Sequence, residues 1–501
     1  KKGAALVDID LKKLSLPDIA IAEGVAGPAA NLRLDAALLI RRNDDNAARV
    51  DLRRKDADTD SLTIDWRQMH KGAMQLDAEG SGKAGGFFAN LLETPKGADL
   101  TLSAQVKGDE KSGAGNARFL IGGAEAMRAK TDWRDGNLTF NAAGDLNATA
   151  LTAPLAARLG GPFDVNVRLT PADKDLQTLT ATAQFANLEV SASGLVNPET
   201  RKAPKGLDVV ADAKALAPLD KALAFGRGPA HAKGKLYEAD GGYAFKGRVE
   251  VIDIAQSGVN VQNASGPLLV SMNDKAFGFQ AALDAKGVSA ASKELAGLLG
   301  KNAQVDAAGQ FLRKEEQVRL DLVRVTSAAA KLQAAGEIAL DGPVRFEGNG
   351  EIGNVGLVRP DLKGRVNFRF GAAKLSRDDD LVISGQAAGV NIRGEDPLGR
   401  ALGAAPKLQF AGTAPKDGGF VIERASLDGA NLRAGAKGAM SRFEALNIDF
   451  EAVARGPYTF GSLELTGETE AFGKIAGTRT APRVSVQAKA PGAKAGGVAL
   501  S

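Results

Sequence analysis

Apolar and polar residues alternate along most of the chain. The clearest alternating segments are LTIDW (62–66), FDVNVRLT (163–170), FGFQAALDA (277–285), VRLDL (318–322), RVNFRF (365–370) and LNIDF (446–450). A period of two predicts strands with one apolar and one solvated face, which is typical of antiparallel sheets. Turn-forming stretches such as DGN (135–137) and KDGG (416–419) separate these runs. The pattern therefore predicts an all-β fold, an elongated antiparallel sheet with few short helices.

The apolar positions of these segments are candidates for the lining of an inner face. These positions are Phe163, Val165, Val167, Leu169, Phe277, Phe279, Leu283, Val318, Leu320, Leu322, Val366, Phe368, Phe370, Leu446, Ile448 and Phe450. The alternation defines the two faces only up to a slip of one residue, which would exchange them. The intervening residues, such as Asn367 and Arg369, are expected to face solvent.

Short helix-like pieces that end in glycine or proline recur between the alternating runs. The residues before the breaks are Leu92, Leu159, Phe225, Leu299 and Leu402, at loose spacings of 66 to 103 residues. Pieces this short are not stable alone, so each is expected to rest on the neighbouring sheet. The recurrence predicts one continuous, repeat-built segment over 1–501. Its loose modules lie near 1–86, 87–152, 153–216, 217–290, 291–395 and 396–501.

Small residues occupy many of the apolar positions. Glycine accounts for 60 of the 501 residues, whereas Phe, Tyr and Trp together make up only 5%. In LTATAQFA, for example, Ala181 and Ala183 stand where a packed sandwich would favour Val, Ile or Phe. A curved sheet lined by small residues would enclose an apolar furrow instead of a tightly packed core. A general drift of the sequence towards small residues is the alternative explanation.

The residues that usually carry catalysis are scarce. The chain has no cysteine, which excludes disulfides, cysteine-ligated metals and cysteine nucleophiles. Its two histidines, His70 and His231, are far apart in the sequence. His70 and nearby Lys83 have no partner nucleophile or base around them, and His231 is expected on a solvated face. We therefore predict no catalytic, cofactor or metal site, and a protein that is not an enzyme.

Two motifs look like ligand sites in isolation. RDDD (377–380) is rich in carboxylates, but it lacks the spaced ligands and glycine bend of a calcium loop and is predicted to be a solvated turn. GNGEIGNVG (348–356) is rich in glycine, but no Gly-Lys-Ser or Gly-Lys-Thr follows it. A phosphate-binding loop is therefore not predicted there.

The charge pattern argues against nucleic acid as a partner. The formal net charge is only +4, and basic and acidic residues are interleaved, as in VRLDLVRV. No stretch approaches the roughly 18 consecutive apolar residues of a membrane-spanning helix. The first residues, KKGAALVDIDLKKL, do not form a signal peptide, and the chain is predicted to be an internal segment of a longer protein.

One stretch resembles a known family. The sequence LSLPDIAIAEGVAGPAANLRLDAALLIRRNDDNAARVDLRRKDADTDSLTIDW (14–66) is similar to the central part of the TamB family. That family belongs to the AsmA-like group of bridge-type lipid transfer proteins. The rest of the chain shares the family's short helices and glycine turns without being specific at any one place. Neither the family's N-terminal membrane anchor nor its C-terminal domain, which meets the outer-membrane barrel protein TamA, is evident.

The resemblance implies a fold, a location and a role. The sheet would curl into a taco-like trough with an apolar interior. The trough would lie in the periplasm, anchored to the inner membrane by a segment outside these residues. It would conduct phospholipid between the inner and outer membranes, and the candidate positions above would line its lipid groove. TamA would be a partner through parts of the protein outside this segment.

A scaffold is the alternative role. The sheet would then assist the assembly or insertion of outer-membrane barrel proteins or autotransporters, together with TamA, by pairing an edge strand with client strands. A secreted β-solenoid adhesin would need a regular short repeat, which the sequence lacks. Charged residues at inward positions would contradict the conduit. Long edge strands without Lys, Pro or bulges would favour the scaffold.

Overall fold

The strands predicted from the alternation are present in the structure. The computed structural model describes residues 8–25, 27–41, 45–69, 72–173, 175–219, 223–239, 241–256, 258–339, 342–460, 463–491, 493–495 and 498–499. Strands hold 67% of the residues and helices 7%. The strand pairs in these ranges are antiparallel. The predicted fold class, all-β and antiparallel with few short helices, is thus confirmed.

The chain divides into two compact units, Lys1–Glu238 (unit 1) and Ala239–Ser501 (unit 2). The smaller modules suggested by the repeats remain a prediction.

The sheet of unit 1 is a meander in which each strand pairs with its neighbours in the chain. At about 4.8 Å per strand, it extends about 60 Å across its strands. Its strands are β1 (Ile9–Ile21), β2 (Ala30–Ile40), β3 (Asn46–Arg54), β4 (Asp60–Gln68), β5 (Met74–Gly82), β6 (Leu100–Gly108), β7 (Ser112–Ile121), β8 (Ala124–Arg134), β9 (Asn137–Asp145), β10 (Pro162–Pro171), β11 (Gln177–Phe185), β12 (Leu188–Val196), β13 (Leu207–Ala213) and β14 (Ala230–Ala239).

Unit 2 is also a meander. Its strands are β15 (Gly242–Gln256), β16 (Val259–Met272), β17 (Ala276–Lys286), β18 (Ser289–Ala290), β19 (Asn302–Leu312), β20 (Gln317–Ser327), β21 (Ala330–Ala339), β22 (Val344–Ile352), β23 (Leu362–Lys374), β24 (Leu381–Gly394), β25 (Lys407–Ala414), β26 (Gly419–Asp428), β27 (Leu432–Ser441), β28 (Ala445–Arg455), β29 (Tyr458–Phe460), β30 (Leu463–Leu465), β31 (Glu468–Thr478), β32 (Ala481–Lys489), β33 (Ala493–Ala495) and β34 (Val498–Ala499). As an exception, β17 pairs directly with β19 while the two-residue β18 pairs with β16. The meander continues from β28 directly to β31, while β29, β30, β33 and β34 form a small separate sheet.

The helices occur where the sequence predicts them. They are α1 (Phe87–Leu91), α2 (Ala153–Leu159), α3 (Lys293–Leu299) and α4 (Pro397–Leu402). A fifth piece, predicted before Phe225, lies partly outside the described residues. Since neighbouring strands run in opposite directions, every second connection lies at the same edge of a meander. The helices of each unit therefore share one edge, the helix edge, and the opposite turn edge carries mostly short turns.

The turn edge shows why the predicted turns form. Between β8 and β9, Asp135 and Gly136 have φ angles of 50° and 81°. Both angles are left-handed, as the tightest hairpin turns require, and aspartate and glycine tolerate them best.

At the helix edge, a carboxylate that is distant in the sequence holds the five-residue helix α1. The buried Asp60, at the start of β4, accepts hydrogen bonds from the N–H groups of Phe87 and Phe88, both at 2.9 Å. The Arg54 guanidinium lies 3.8 Å from the same carboxylate. These bonds satisfy two of the N–H groups that a helix N-terminus leaves unpaired. The sheet thus stabilises a helix too short to be stable alone.

Closely packed apolar residues are concentrated at this same edge. In unit 2, Val355, Leu362 and Ile392 form a buried cluster against Leu402 of α4. Elsewhere the packing is open, and no large side chain in the described ranges is fully buried. Much of the apolar surface of the sheet is therefore left without a second layer.

Candidate functional site

The apolar face of unit 1 is continuous across the sheet. Residues that are directly opposite each other on paired strands project on the same side of the sheet. The pairing register therefore shows which residues of successive strands share a face. Phe163, Val165, Val167 and Leu169 of β10 pair with Gly144, Ala142, Phe140 and Leu138 of β9 and with Phe185, Ala183, Ala181 and Leu179 of β11. Following the paired residues strand by strand from β9 back to β1 places Leu11, Leu14 and Leu16 of β1 on this same face. The four predicted residues of β10 therefore share one apolar face.

The apolar face of unit 2 contains nearly all of its predicted residues. Tracing the register from β15 to β32 places on this face Phe277, Phe279, Leu283, Val318, Leu320, Val366, Phe368, Phe370, Leu446, Ile448 and Phe450. The opposite face carries the intervening polar residues and is called the polar face below.

Leu322 departs from the predicted alternation. A bulge in β20 leaves Asp321 and Leu322 between the pairs Leu320–Gly336 and Val323–Ala334. Leu322 pairs with Ala308, which in turn pairs with the polar-face residue Gln280. Leu322 therefore lies on the polar face, and Val323 takes the place expected for it beside Leu320. A single extra residue exchanges the faces from that point onwards.

Charge is almost absent from the apolar face. Among the described positions that the register assigns to it, the charged residues are Arg54, Asp60 and Lys374. Each is the first or last residue of its strand. Arg54 and Asp60 lie at the helix edge, where they hold α1, and Lys374 lies at the turn edge. The middle of the face is therefore apolar from strand to strand.

Phenylalanine rings lie across glycines of the neighbouring strand. A Cβ atom added at Gly348 would lie 2.5 Å from Phe370 Cζ, and one added at Gly350 would lie 2.5 Å from Phe368 Cζ. The same arrangement joins Phe450 to Gly473, at 2.7 Å. The missing side chains thus make room for rings that lie flat on the sheet. The sequence indicates small residues but not this pairing, which only the register brings together.

The polar face is covered with short-range ion pairs. Arg33 with Asp35 and Arg53 with Asp51 are two residues apart on one strand, at 2.6 and 2.8 Å. His231 and Asp212 are directly opposite on β14 and β13, with Nδ1 2.6 Å from Oδ1. His231 is thus a solvated-face residue, as predicted. His70 lies outside the described residues.

Lys83 likewise has a structural role in the loop before α1. Its ammonium donates a hydrogen bond to Asp99 Oδ2 at 2.8 Å. This bond, together with one from the Ala84 N–H, lowers the pKa of the Asp99 carboxyl. Among the described residues of this loop, no further nucleophilic or basic side chain contacts Lys83 or Asp99.

The RDDD and glycine-rich motifs form ordinary parts of the sheet. RDDD is the solvated turn between β23 and β24, and Asp378 and Asp380 bind Lys416 of the next turn on that edge. The glycine-rich segment is the end of β22 and a short 3₁₀ turn capped by Asn354, whose side chain accepts from the Gly356 N–H.

Open clefts occur on the polar face. One of about 950 Å³ is bordered by long side chains of β20 to β25, among them Arg324, Lys331, Arg369 and Gln409. Another, of about 420 Å³, lies among Lys12, Lys13 and charged residues of β2 and β3. These clefts form between charged and amide side chains that stand up from the sheet.

Within the described residues, no cluster of histidine and carboxylate side chains is placed to hold a metal ion. The helices in the same ranges are too short or too polar to cross a membrane. A scan against protein-family models and a search of curated proteins both give no match for the chain. A functional assignment therefore depends on the continuous apolar face itself.

Proposed function

We propose that this chain shields the acyl chains of phospholipid on the apolar face of its sheet during transfer between two membranes. The observation that carries the proposal is the register, which keeps apolar positions on one face across each unit and confines charge to strand ends. Exposing an acyl chain to water costs about 0.8 kcal/mol per CH₂. A continuous apolar surface lowers this cost along the whole path.

The setting follows from the resemblance of residues 14–66 to the TamB family. The chain would be a bridge segment in the periplasm, anchored to the inner membrane by residues outside this segment. TamA at the outer membrane would be met by other parts of the protein. No bond is made or broken in this role, so the protein is proposed not to be an enzyme and to need no cofactor.

The scaffold is the second candidate, and the two outer strands bear on it differently. β1 carries Lys12, Lys13 and Pro17 and has two bulges against β2, features that block pairing with further strands. β32 pairs with β31 without a bulge, but it also carries Pro482 and Lys489, one near each end. Strand addition is therefore disfavoured at β1, and at β32 only the bulge-free middle stretch, 483–488, lacks these features.

Lipid extraction from the purified protein tests the conduit. We expect wild-type protein to carry phospholipid, detectable by mass spectrometry of the extract. Phe279→Asp places a charge on the apolar face, where an acyl chain offers it no partner, and should lower the bound lipid severalfold. Gln280→Asp, the matched control on the polar face of the same strand, should carry as much lipid as the wild type. Folded protein free of lipid, or equal loss in both variants, would favour the scaffold.

A further inference from the structure

Gly385 of β24 differs from the glycines that lie beneath phenylalanine rings. On the apolar face it is directly opposite Phe370 of β23 and Phe410 of β25. A Cβ atom added at Gly385 would have only the Arg369 carbonyl oxygen within 4 Å, at 3.5 Å. The floor of the sheet is therefore uncovered between two aromatic residues.

Both rings lean away from Gly385. The Phe370 ring extends over Gly348 on the other side of β23. The Phe410 ring extends towards Gly412 and stacks on Phe420, with ring centroids 5.6 Å apart and an interplanar angle of 13°. The result is a slot over Gly385 with an aromatic wall on each side, and with Ile383 and Ala387 of β24 at its two ends. Its walls arise from strands about 10 Å apart.

The slot fits a hydrocarbon chain and not a peptide. The backbone groups of β24 at this point are already paired with β23 and β25. A peptide strand lying in the slot would leave its own N–H and C=O groups unpaired against an apolar floor, which is costly. A hydrocarbon chain has no such groups and can make van der Waals contact with the floor and both rings.

A positive charge lies on the same face beyond the Ile383 end of the slot. Lys374, the last residue of β23, is the basic residue that the register places on the apolar face of unit 2 in the described ranges. It is about 13 Å along the strand from Phe370. Its side chain forms no hydrogen bond or ion pair with another described residue. The nearby carboxylate of Asp378 forms its ion pair with Lys416; that bond is the main cause that lowers the pKa of the Asp378 carboxyl, and the charge of Lys374 adds to it at longer range.

We propose that the slot over Gly385 holds one acyl chain of an anionic phospholipid, with the lipid phosphate at Lys374 on the turn edge. This inference depends on the proposed function and adds to it a defined resting position and headgroup selectivity. Gly385 is then a positioning residue, since the absence of its side chain forms the slot.

Photolabelling with a diazirine-bearing phosphatidylglycerol tests the slot. After irradiation of the full chain, adducts are mapped by peptide mass spectrometry. We expect adducts on the stretches around Phe370, Gly385 and Phe410. Gly385→Leu should reduce them about fivefold or more, because each excluded CH₂ weakens binding roughly fourfold. Gly371→Leu is the matched control, since Gly371 lies on the polar face of β23 and an added Cβ there meets nothing closer than 3.6 Å.

Headgroup selectivity is tested with a diacylglycerol that carries the same diazirine chain. Wild-type protein should be labelled more strongly by phosphatidylglycerol, and Lys374→Ala should bring the two probes to the same level. Equal labelling of wild-type protein by both probes would overturn the role of Lys374. Slot labelling that Gly385→Leu leaves unchanged, or adducts on the apolar face only outside the slot, would overturn the inference and leave the conduit standing. No adducts anywhere on the apolar face would overturn both.

Discussion

At strand ends, individual side chains join neighbouring strands through short contacts. Asp56, after β3, accepts two hydrogen bonds from the Arg54 guanidinium, at 2.9 and 3.0 Å, and one from the Asn31 N–H at 3.3 Å. It thereby links the end of β3 to the start of β2. The hydrogen bond from Arg54 is the main cause that lowers the pKa of Asp56 to about 2.

This depressed pKa predicts where acid breaks the link. A carboxyl whose pKa falls on folding stabilises the fold above its ordinary pKa of 3.8, and the contribution is lost as the pH falls towards 2. A carbon-13 titration of the Asp56 carboxyl should have its midpoint near 2. Arg54→Ala should move the midpoint upwards towards 3.8. A wild-type midpoint near 3.8 would show that the Arg54 contact does not persist in solution.

The individual strands and short helices were largely predictable from the sequence. Alternation identifies β10, β17, β20, β23 and β28, because a half-buried strand requires a period of two. Short apolar pieces before glycine identify the four helices of the described residues. The bulge at Asp321 was not predictable, because VRLDL alternates without interruption and only the pairing with β21 shows the extra residue. The slot at Gly385 was also hidden, since it depends on rings from two other strands.

The bulge makes a prediction about Leu320 and Leu322. The chain has no cysteine, so single cysteines at these positions can be labelled without a background. Loading the protein with phospholipid should protect Leu320→Cys from a water-soluble thiol reagent, because this residue lies on the apolar face. Leu322→Cys should react at the same rate with and without lipid. Equal protection of the two cysteines would contradict the face assignment at the bulge.

For the whole molecule, the central feature is that apolar positions stay on one face of the sheet within each unit, even where a bulge such as that in β20 shifts the alternation along its strand. Each strand could have exposed its apolar residues on either side without changing its own pattern. The register instead collects them on one face in unit 1 and on one face in unit 2. A sheet that served only as a scaffold would need a defined edge but no apolar surface free of charge. This continuity is therefore the strongest argument for lipid transfer.

The central claim, that lipid lies on the apolar face, is tested most directly at Phe368 and Arg369. These neighbours on β23 project to opposite faces, since Phe368 pairs with Gly350 and Arg369 with Asn349. A photo-crosslinking amino acid placed at each position in turn, in cells, should give phospholipid adducts at 368 and few at 369. Phe368→Asp should express normally and fail to support outer-membrane integrity, whereas Arg369→Asp should behave as wild type. Equal lipid labelling at the two positions, or full activity of Phe368→Asp, would contradict the conduit.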